Sequence, residues 1–596
     1  MALDALSKAL GAWQPSQPTD YIAVAALLAL PFVLTYILTY IKAYLIKTSR
    51  TKDGAREPPP APYAVPGLAN TIGFASDPEG YLRKMMKIFG DVPFRLLVGP
   101  YRFYYIPPGD LLLQLFRASR DLTAKPLTIM SMRDQFGLPP GDMHVILQDD
   151  SGINSKPLPG FENMDPKSRL FHNQHRDLHN LLSGSALDDM TARFIDIYSK
   201  QLHETSAVPK LESQSHTQQW IQHPDLYALL RDEMFRAASI ALLGNHFLRL
   251  HPDFPRAFWE FDSYVLSYVR NLPRWMARKA YRVRDETLDA FTRWRSHAAQ
   301  HHPVTSPADT EAEWEPYWGA KLMRAREIMF NDLGLSPGGK AAFDLGMLWA
   351  TNANVIPAAF WALRGILLTP GLTERVLTET APCFDAQTGN VNIAALCAKP
   401  LLTSIYLEAL RFSVGVTPAR NLQVPSIELG PWKFERGSTL IANTWFGSRA
   451  PGFWNTGRDL PSGKQEYPVE SFWAERFLEY PGDAASGPLR KPDASIYRYA
   501  EKKERTVEDD RGAKVLTTGT AGYFFPYGGG TKICPGRHFA KQEMMAAVAV
   551  FLREFEVEIV DAKAAAKVGL DMAYFPAGSL PPDGKMPIRI RRRASS

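Results

Sequence analysis

The stretch FFPYGGGTKICPGRHFAKQE, Phe524 to Glu543, constrains this chain more than any other. Three consecutive glycines, 528 to 530, permit a tight turn and let the backbone approach something flat or bulky. Cys534 follows, then Pro535 and Gly536, and a helix is predicted to start near Arg537, since Pro and Gly suit a helix entry. A thiolate just before a helix N-terminus is stabilised by the dipole and by free N–H groups, which suits an anionic metal ligand. The chain has only two other cysteines, Cys383 and Cys397, and neither a Cys-x-x-Cys pair nor clustered histidines. A zinc site therefore lacks partners, whereas one thiolate as the sole protein ligand suits haem iron. The plain alternative is a buried cysteine on a glycine-rich loop.

The second constraint lies at the other end. Tyr21 to Ile41, YIAVAALLALPFVLTYILTYI, carries no formal charge. As a helix of about 1.5 Å per residue it would span roughly 31 Å, enough for a bilayer core. Pro31 inside it is tolerated in a membrane helix, and Tyr21, Tyr40 and Tyr44 suit interfacial anchors. Lys42, Lys47, Arg50, Lys52 and Arg56 follow it, against Lys8, Asp4 and Asp20 before it. The positive-inside rule then leaves 1–20 as a short lumenal N-terminus, 21–41 as a single anchor and the remainder in the cytosol. A cleaved signal peptide would want a basic start and a shorter apolar core.

Five prolines in EPPPAPYAVPG, Glu57 to Gly67, predict a stiff extended segment. Residues 42–66 are thus expected as a basic, proline-rich linker and 67–596 as the catalytic domain. Pro93 to Gly109 is expected as a hairpin; Asp225 to Phe247, Gly346 to Leu368, Leu401 to Phe412 and Arg537 to Phe555 as helices. Gly346 to Leu368 is so apolar that it is expected as one buried central helix. Thr205–Thr217 and Gly482–Lys514 are expected as surface insertions, and Arg589, Arg591, Arg592 and Arg593 as a solvated basic end. The fold class is mainly α with a small β part. A net charge of +6 over 596 residues is too small an excess to indicate nucleic-acid binding.

At this point the chain resembles the cytochrome P450 family, whose haem loop is Phe-x-x-Gly-x-Arg-x-Cys-x-Gly with Ala and Glu on the next helix. Here stand Tyr527, Gly530, Lys532, Cys534 and Gly536, then Ala540 and Glu543. Tyr replaces Phe and keeps a ring that can shield the sulfur. Lys replaces Arg and can meet a haem propionate as a point charge rather than a fork. SIYLEALRF offers Glu408 and Arg411, the family's E-x-x-R, and FWAERF offers Arg476. The resemblance implies that these three form a structural charge network behind the haem. It covers about Pro58 to the end, and the anchor matches the endoplasmic-reticulum members.

The resemblance also assigns the central helix. The family usually carries Ala-Gly-x-Asp/Glu-Thr-Thr there, to relay protons. In WATNANVIPAAFW, Ala353 and Asn354 fall on Ala-Gly, Ile356 on the acid, and Pro357 and Ala358 on the threonines. This is similar to the branch holding cholesterol 7α-hydroxylase, sterol 12α-hydroxylase and prostacyclin synthase. Pro357 has no N–H, so the Ala353 carbonyl loses its helical partner. That carbonyl and the Asn354 amide could hold water or an oxygen species over the iron; the alternative is a kinked core helix with a satisfied Asn. Arg420 and Arg176 are expected at the haem propionates, Arg176 with His172 at the spacing of the family's W-x-x-x-R. Lys532, Arg537 and Lys541 are expected to face an acidic electron donor, and Pro255 to Trp275 to roof the substrate or touch the bilayer.

The expected activity is that of a haem b monooxygenase in the endoplasmic-reticulum membrane. It would insert one oxygen atom from O₂ into a sterol, terpenoid or lipid-like substrate, including secondary metabolites. Electrons would come from NADPH through a separate NADPH–cytochrome P450 reductase, since no GxGxxG fingerprint in a βαβ setting is present. Three rivals remain: a haem-thiolate isomerase or dehydratase acting on a peroxide or activated lipid without reductase, a non-catalytic haem-binding protein, and a membrane-tethered scaffold with no haem.

Overall fold

The computed structural model describes residues 18–48, 54–204, 220–498 and 504–593. The expected insertion at 205–217 and residues 1–17 of the expected lumenal segment lie outside them. The chain falls into two compact units, 1–107 with 419–442, and 108–418 with 443–596.

The smaller unit opens with helix α1, Pro18–Thr48, of which Val24–Thr48 is long and apolar enough to cross a membrane. The helix outruns the uncharged 21–41 stretch because its Lys-, Ala- and Leu-bearing continuation is also helix-favouring. Its inner end is tied down. Thr39 Oγ1 donates to the Tyr63 carbonyl at 3.0 Å, and Lys47 Nζ donates to the Ile88 carbonyl, at the end of α2 (Pro78–Phe89), at 2.7 Å. The proline-rich stretch is therefore not a spacer in free solvent. Pro58 and Pro59 are buried, and the Pro59 carbonyl accepts the Arg95 N–H at 2.8 Å. Prolines have no N–H to give a sheet, but their carbonyls still accept at its edge. The expected hairpin is present as β1 (Phe94–Val98) and β2 (Tyr101–Tyr105). The later segment of the unit supplies β3 (Ala419–Leu422), β4 (Ser426–Leu429), β5 (Trp432–Glu435) and β6 (Thr439–Ile441). Strand β6 runs parallel to β2 and antiparallel to β3, while β4 and β5 form their own hairpin.

The larger unit is helical. In chain order its principal helices are α3 (Leu170–Leu181), α4 (Leu226–Leu243), α5 (Phe254–Ser263), α6 (Pro337–Asn352), α7 (Val355–Leu368), α8 (Pro400–Ser413) and α9 (Arg537–Glu554). Helix α7 packs against α4, α8 and α9. Its Phe360, Trp361 and Leu363 are at most 1% exposed, and each such side chain contributes roughly 1.5–3 kcal/mol through burial.

Four expectations need correction in this unit. The single helix expected over 346–368 is two, α6 and α7, meeting at Ala353–Asn354. Pro357 withholds the N–H that Ala353 would receive, and the ladder restarts only with Ala358 N–H to the Asn354 carbonyl, at a long 3.4 Å. The helix expected over 225–247 stops at Gly244, whose φ of +83° takes it out of the helix. A Cβ there would strike the Pro316 carbonyl, so glycine is required twice over. The 482–514 stretch, of which 499–503 lie outside the described residues, is tied down in its described parts. Asp510, 5% exposed, makes two bonds of 2.7 and 2.8 Å to Arg375, and Lys514–Val515 pairs with Leu478–Glu479. Finally, the basic end is a strand. β8 (Ile588–Arg592) pairs with β7 (Phe555–Ile559) and with Ile221–His223. Arg589 and Arg591 meet Glu558 and Glu556 across that pair, and Arg592 is buried. Alternation of apolar and basic residues at period two is a strand signature that the charge count obscured.

Candidate active site

Cys534 sits between a glycine turn and α9. Gly528 and Gly530 take φ of +72° and +68°, in the left-handed region. Gly529 and Gly530 lie directly on the chain at Phe116–Ser119. A Cβ on Gly529 would enter the Phe116 ring, and one on Gly530 would strike Ser119 Oγ and the Phe116 carbonyl. The turn is closed by the Cys534 N–H, which donates to the Tyr527 carbonyl at 3.0 Å. The backbone N–H groups of Gly536, the cap of α9, and Arg537, its first residue, act on the sulfur electrostatically. Burial pushes the thiol pKa up, and those two N–H groups with the Arg537 charge pull against the shift. The Arg537 guanidinium also donates to the Cys534 carbonyl at 3.0 Å.

This sulfur fits haem iron on the structure's own terms. Among the described residues no three His, Cys, Asp or Glu side chains gather as a metal site, so Cys534 suits a metal whose other ligands arrive with it. On the central helix α6, Leu348 and Asn352 are fully buried, yet Ala350 between them is exposed, and Trp349, Thr351 and Asn354 are partly so. This face of the central helix is thus not covered by neighbouring side chains.

Tyr527, at the ring-bearing position of the loop, shares a 2.7 Å hydrogen bond with Tyr406 of α8. Its hydroxyl is thus directed to another phenol and its ring is left to cover the loop. Tyr406 was not anticipated, and no sequence spacing links it to Tyr527. Glu543, on α9, is fully buried, and neither carboxylate oxygen has a partner among the described residues. Burial raises its pKa well above the ordinary range, so it is held as the neutral acid.

Glu408, Arg411 and Arg476 are brought together with no exposed surface on any of them. Arg411 grips Glu408 with two bonds of 2.7 and 2.8 Å, and Arg476 Nε lies 3.1 Å from both carboxylate oxygens. Burial opposes the Glu408 charge, but the two arginines and the Trp473 N–H outweigh it and hold its carboxyl below the usual range. The arginines also donate to carbonyls at Ser448, Val469, Ser471 and Asn455, so the cluster staples 448–476 to α8.

The remaining expected residues have these settings. Asn354 Oδ1 accepts the Ser579 N–H at 2.8 Å, and a Cβ on Gly578 would strike it. Its carbonyl is therefore committed to the C-terminal loop, while its amide nitrogen has no acceptor among the described residues. Ala353 and Ile356 are buried, and Pro357 and Ala358 continue the apolar wall. Arg176 on α3 turns to Asp177 at 2.9 Å and Asn173 at 3.2 Å, and half of its side chain is exposed. Lys532 lies near His175, whose pKa burial and the neighbouring charge lower. Lys541 donates to the Cys397 carbonyl at 3.1 Å. Arg420, on β3 of the smaller unit, is buried with its guanidinium on the Ala419 carbonyl at 2.9 Å.

Sequence reasoning also missed a polar contact away from the sulfur. Asp262 of α5 receives the Trp349 indole N–H at 2.7 Å and the Tyr574 hydroxyl at 2.5 Å. Its signal was present: Asp262 falls four residues after Phe258, on the apolar stripe of its helix.

Residues 497–569, which span the sulfur and all of α9, match the family model described as Cytochrome P450. The chain is 31% identical to cytochrome P450 monooxygenase fsoE of Humicola fuscoatra over 90% of its own length and 88% of that protein's. It is 29% identical to cytochrome P450 monooxygenase efuG of Hormonema carpetanum, over 96% of both. A cholesterol 7-alpha-monooxygenase of Cricetulus griseus aligns at 23% identity over 71% of this chain and 76% of its own.

Proposed function

This chain belongs to the cytochrome P450 family, and from that premise we propose that it oxygenates an apolar terpenoid or sterol-like molecule at a membrane surface, with electrons from NADPH through a separate reductase. The family's cofactor is haem b with an axial cysteine thiolate. When bound, it supplies the activation of O₂ and the insertion of one oxygen atom into the substrate.

The carrying observation is Cys534: a lone sulfur between a glycine turn and the entry of α9, where the backbone N–H groups of Gly536 and Arg537 favour its charged form. Those N–H groups stabilise negative charge on sulfur, and the turn denies side chains the space beside it. Lys532, and by the family resemblance Arg176 and Arg420, would hold the propionates. At the break between α6 and α7, the Asn354 amide N–H and the Ala353 carbonyl would hold a water between them, the amide donating to it and the carbonyl accepting from it. They take over the positioning that an acid and an alcohol perform elsewhere in the family. Trp349 and the buried wall of Ile356 and Ala358 keep bulk water out. The sterol-like class is supported by the alignment with a cholesterol 7-alpha-monooxygenase, and an apolar substrate, terpenoids included, by the apolar N-terminal helix. Location in the endoplasmic reticulum, with the catalytic part cytosolic, is supported by the basic residues that follow the span.

A second reading, rearrangement of a peroxide or activated lipid without reductase, is favoured by one observation: Ile356, Pro357 and Ala358 carry no acid or alcohol. The test separates the two. The purified protein, reduced and treated with carbon monoxide, should show the red-shifted thiolate band. With reductase, NADPH and ¹⁸O₂ it should label one oxygen in a sterol or terpenoid product. Product formation that needs neither reductase nor NADPH would overturn the oxygenase reading.

A further inference from the structure

A carboxylate stands inside the fold, away from Cys534, with one oxygen saturated and the other open. Asp262 comes from α5, whose Phe258 ring packs 4.5 Å from that of Phe235 in α4. Trp349 comes from the central helix α6, one residue before the exposed Ala350. Tyr574 comes from the C-terminal loop. That loop is tied to the end of α8 through Gly415 N–H to the Gly578 carbonyl and Leu580 N–H to the Ser413 carbonyl, both 2.9 Å. It is tied to α7 by the Trp361 indole, which donates to the Leu580 carbonyl at 2.8 Å. Three separately braced elements therefore converge on one side chain.

Both donors end on the same oxygen, Oδ1. Among the described residues none donates to Oδ2, and Asp262 and its two partners all keep partial exposure. Burial pushes the carboxyl up to about 6, so at neutral pH it is mostly ionised and its open oxygen lacks a donor. Asp262 is only partly buried, so that oxygen is within reach of a ligand's donor. The facing groups say which donor fits. Arg231 of α4 lies over the Tyr227 and Trp259 rings, at 5.7 and 5.4 Å, and acts on Asp262 as a charge without an ion pair. Tyr227 on the same helix stays neutral, because burial raises its pKa beyond the physiological range. The Arg231 charge already balances the carboxylate, which disfavours a second cation. Its two donors are themselves aromatic, Trp349 and Tyr574, and the Phe136 ring packs 5.9 Å from that of Trp349. An uncharged hydroxyl on an apolar skeleton meets all of these conditions.

Resting on the oxygenase reading above, we propose that Asp262 Oδ2, fixed by Trp349 and Tyr574, accepts a hydrogen bond from a hydroxyl group of the substrate, so that the enzyme selects apolar alcohols over the corresponding hydrocarbons.

The test is binding, not turnover. Full-length, haem-loaded protein is titrated with cholesterol and with the diterpene alcohol abietinol. Each is supplied as the free alcohol, as its methyl ether and as the parent hydrocarbon, with the haem spectrum as readout. The ether keeps the skeleton and the oxygen but has no proton to donate. At least one of the two alcohols should bind about tenfold or more tightly than its ether and its hydrocarbon, as expected for a hydrogen bond to a charged acceptor. In Asp262→Leu the three forms should bind alike. If neither alcohol outbinds its ether and hydrocarbon, or if the preference survives in Asp262→Leu, the proposal falls. Should that variant fail to load haem, the wild-type alcohol-against-ether comparison decides alone. The carbon monoxide spectrum of the same samples reports on the haem–thiolate reading, so the two failures are told apart.

Discussion

At the scale of single residues, three buried groups make distinct demands. Cys534→Ser keeps shape but exchanges a soft anion for a neutral hydroxyl. It should abolish the red-shifted carbon monoxide band and all product, measured on protein that still folds by circular dichroism. Glu408 carries the only negative charge in its cluster with Arg411 and Arg476. Glu408→Ala leaves two arginines uncompensated, at about 3–5 kcal/mol, a large part of a typical domain's stability. Loss of retained haem and a lower Tm should follow, and wild-type values for both would refute the structural role. Glu543 acts in the opposite sense. Its folded-state pKa is raised, so below about pH 4 the acid is neutral in both states and costs nothing. As pH rises above that, the unfolded chain ionises while the folded chain holds its proton, and stability is lost. Glu543→Gln should therefore raise Tm at pH 8 and leave it unchanged near pH 4; an equal effect at both pH values would exclude a buried neutral acid.

At the scale of elements, the junction of α6 and α7 is the part with most to test. The break frees the Ala353 carbonyl and leaves the Asn354 amide nitrogen open, while Ser579 holds the Asn354 oxygen. Asn354→Ala should lower product per NADPH consumed and raise hydrogen peroxide, with the carbon monoxide spectrum intact. Unchanged coupling would remove Asn354 from the mechanism. Pro357→Ala restores the missing N–H and should heal the helix, raising stability by up to about 3 kcal/mol while coupling falls. The C-terminal loop shows how little of such a site is local. Residues 574–580 carry one partner of Asp262 and the backbone partner of Asn354, although they lie more than two hundred positions away in the chain.

At the scale of the whole molecule, the N-terminal helix is long and apolar enough to cross a membrane, where the proposed function puts the enzyme. Leu28 and Leu34 are exposed on α1, as lipid-facing positions should be. Arginine at either lies well inside the apolar stretch and costs about 2.5–3.5 kcal/mol on insertion scales. Leu28→Arg with Leu34→Arg should move the protein from the membrane pellet to the soluble fraction on cell fractionation while its haem spectrum persists. Retention in the pellet would mean that other surfaces bind the bilayer.

From the sequence alone came whatever depends on neighbours along the chain. The glycine turn, Cys534 and the start of α9 lie within twenty residues; the apolar run is contiguous; the hairpin at 93–109 is carried by its own turn; Glu408 and Arg411 share one helix face. Local backbone preference and side-chain spacing suffice for these. Tertiary structure decided the rest: that the proline stretch lines a sheet edge, that the arginine-rich end is a strand, that Arg375 anchors Asp510, and that Asp262, Trp349 and Tyr574 meet. Each of these joins groups far apart in sequence, whose encounter is governed by burial of the intervening chain. No periodicity records where such segments cross.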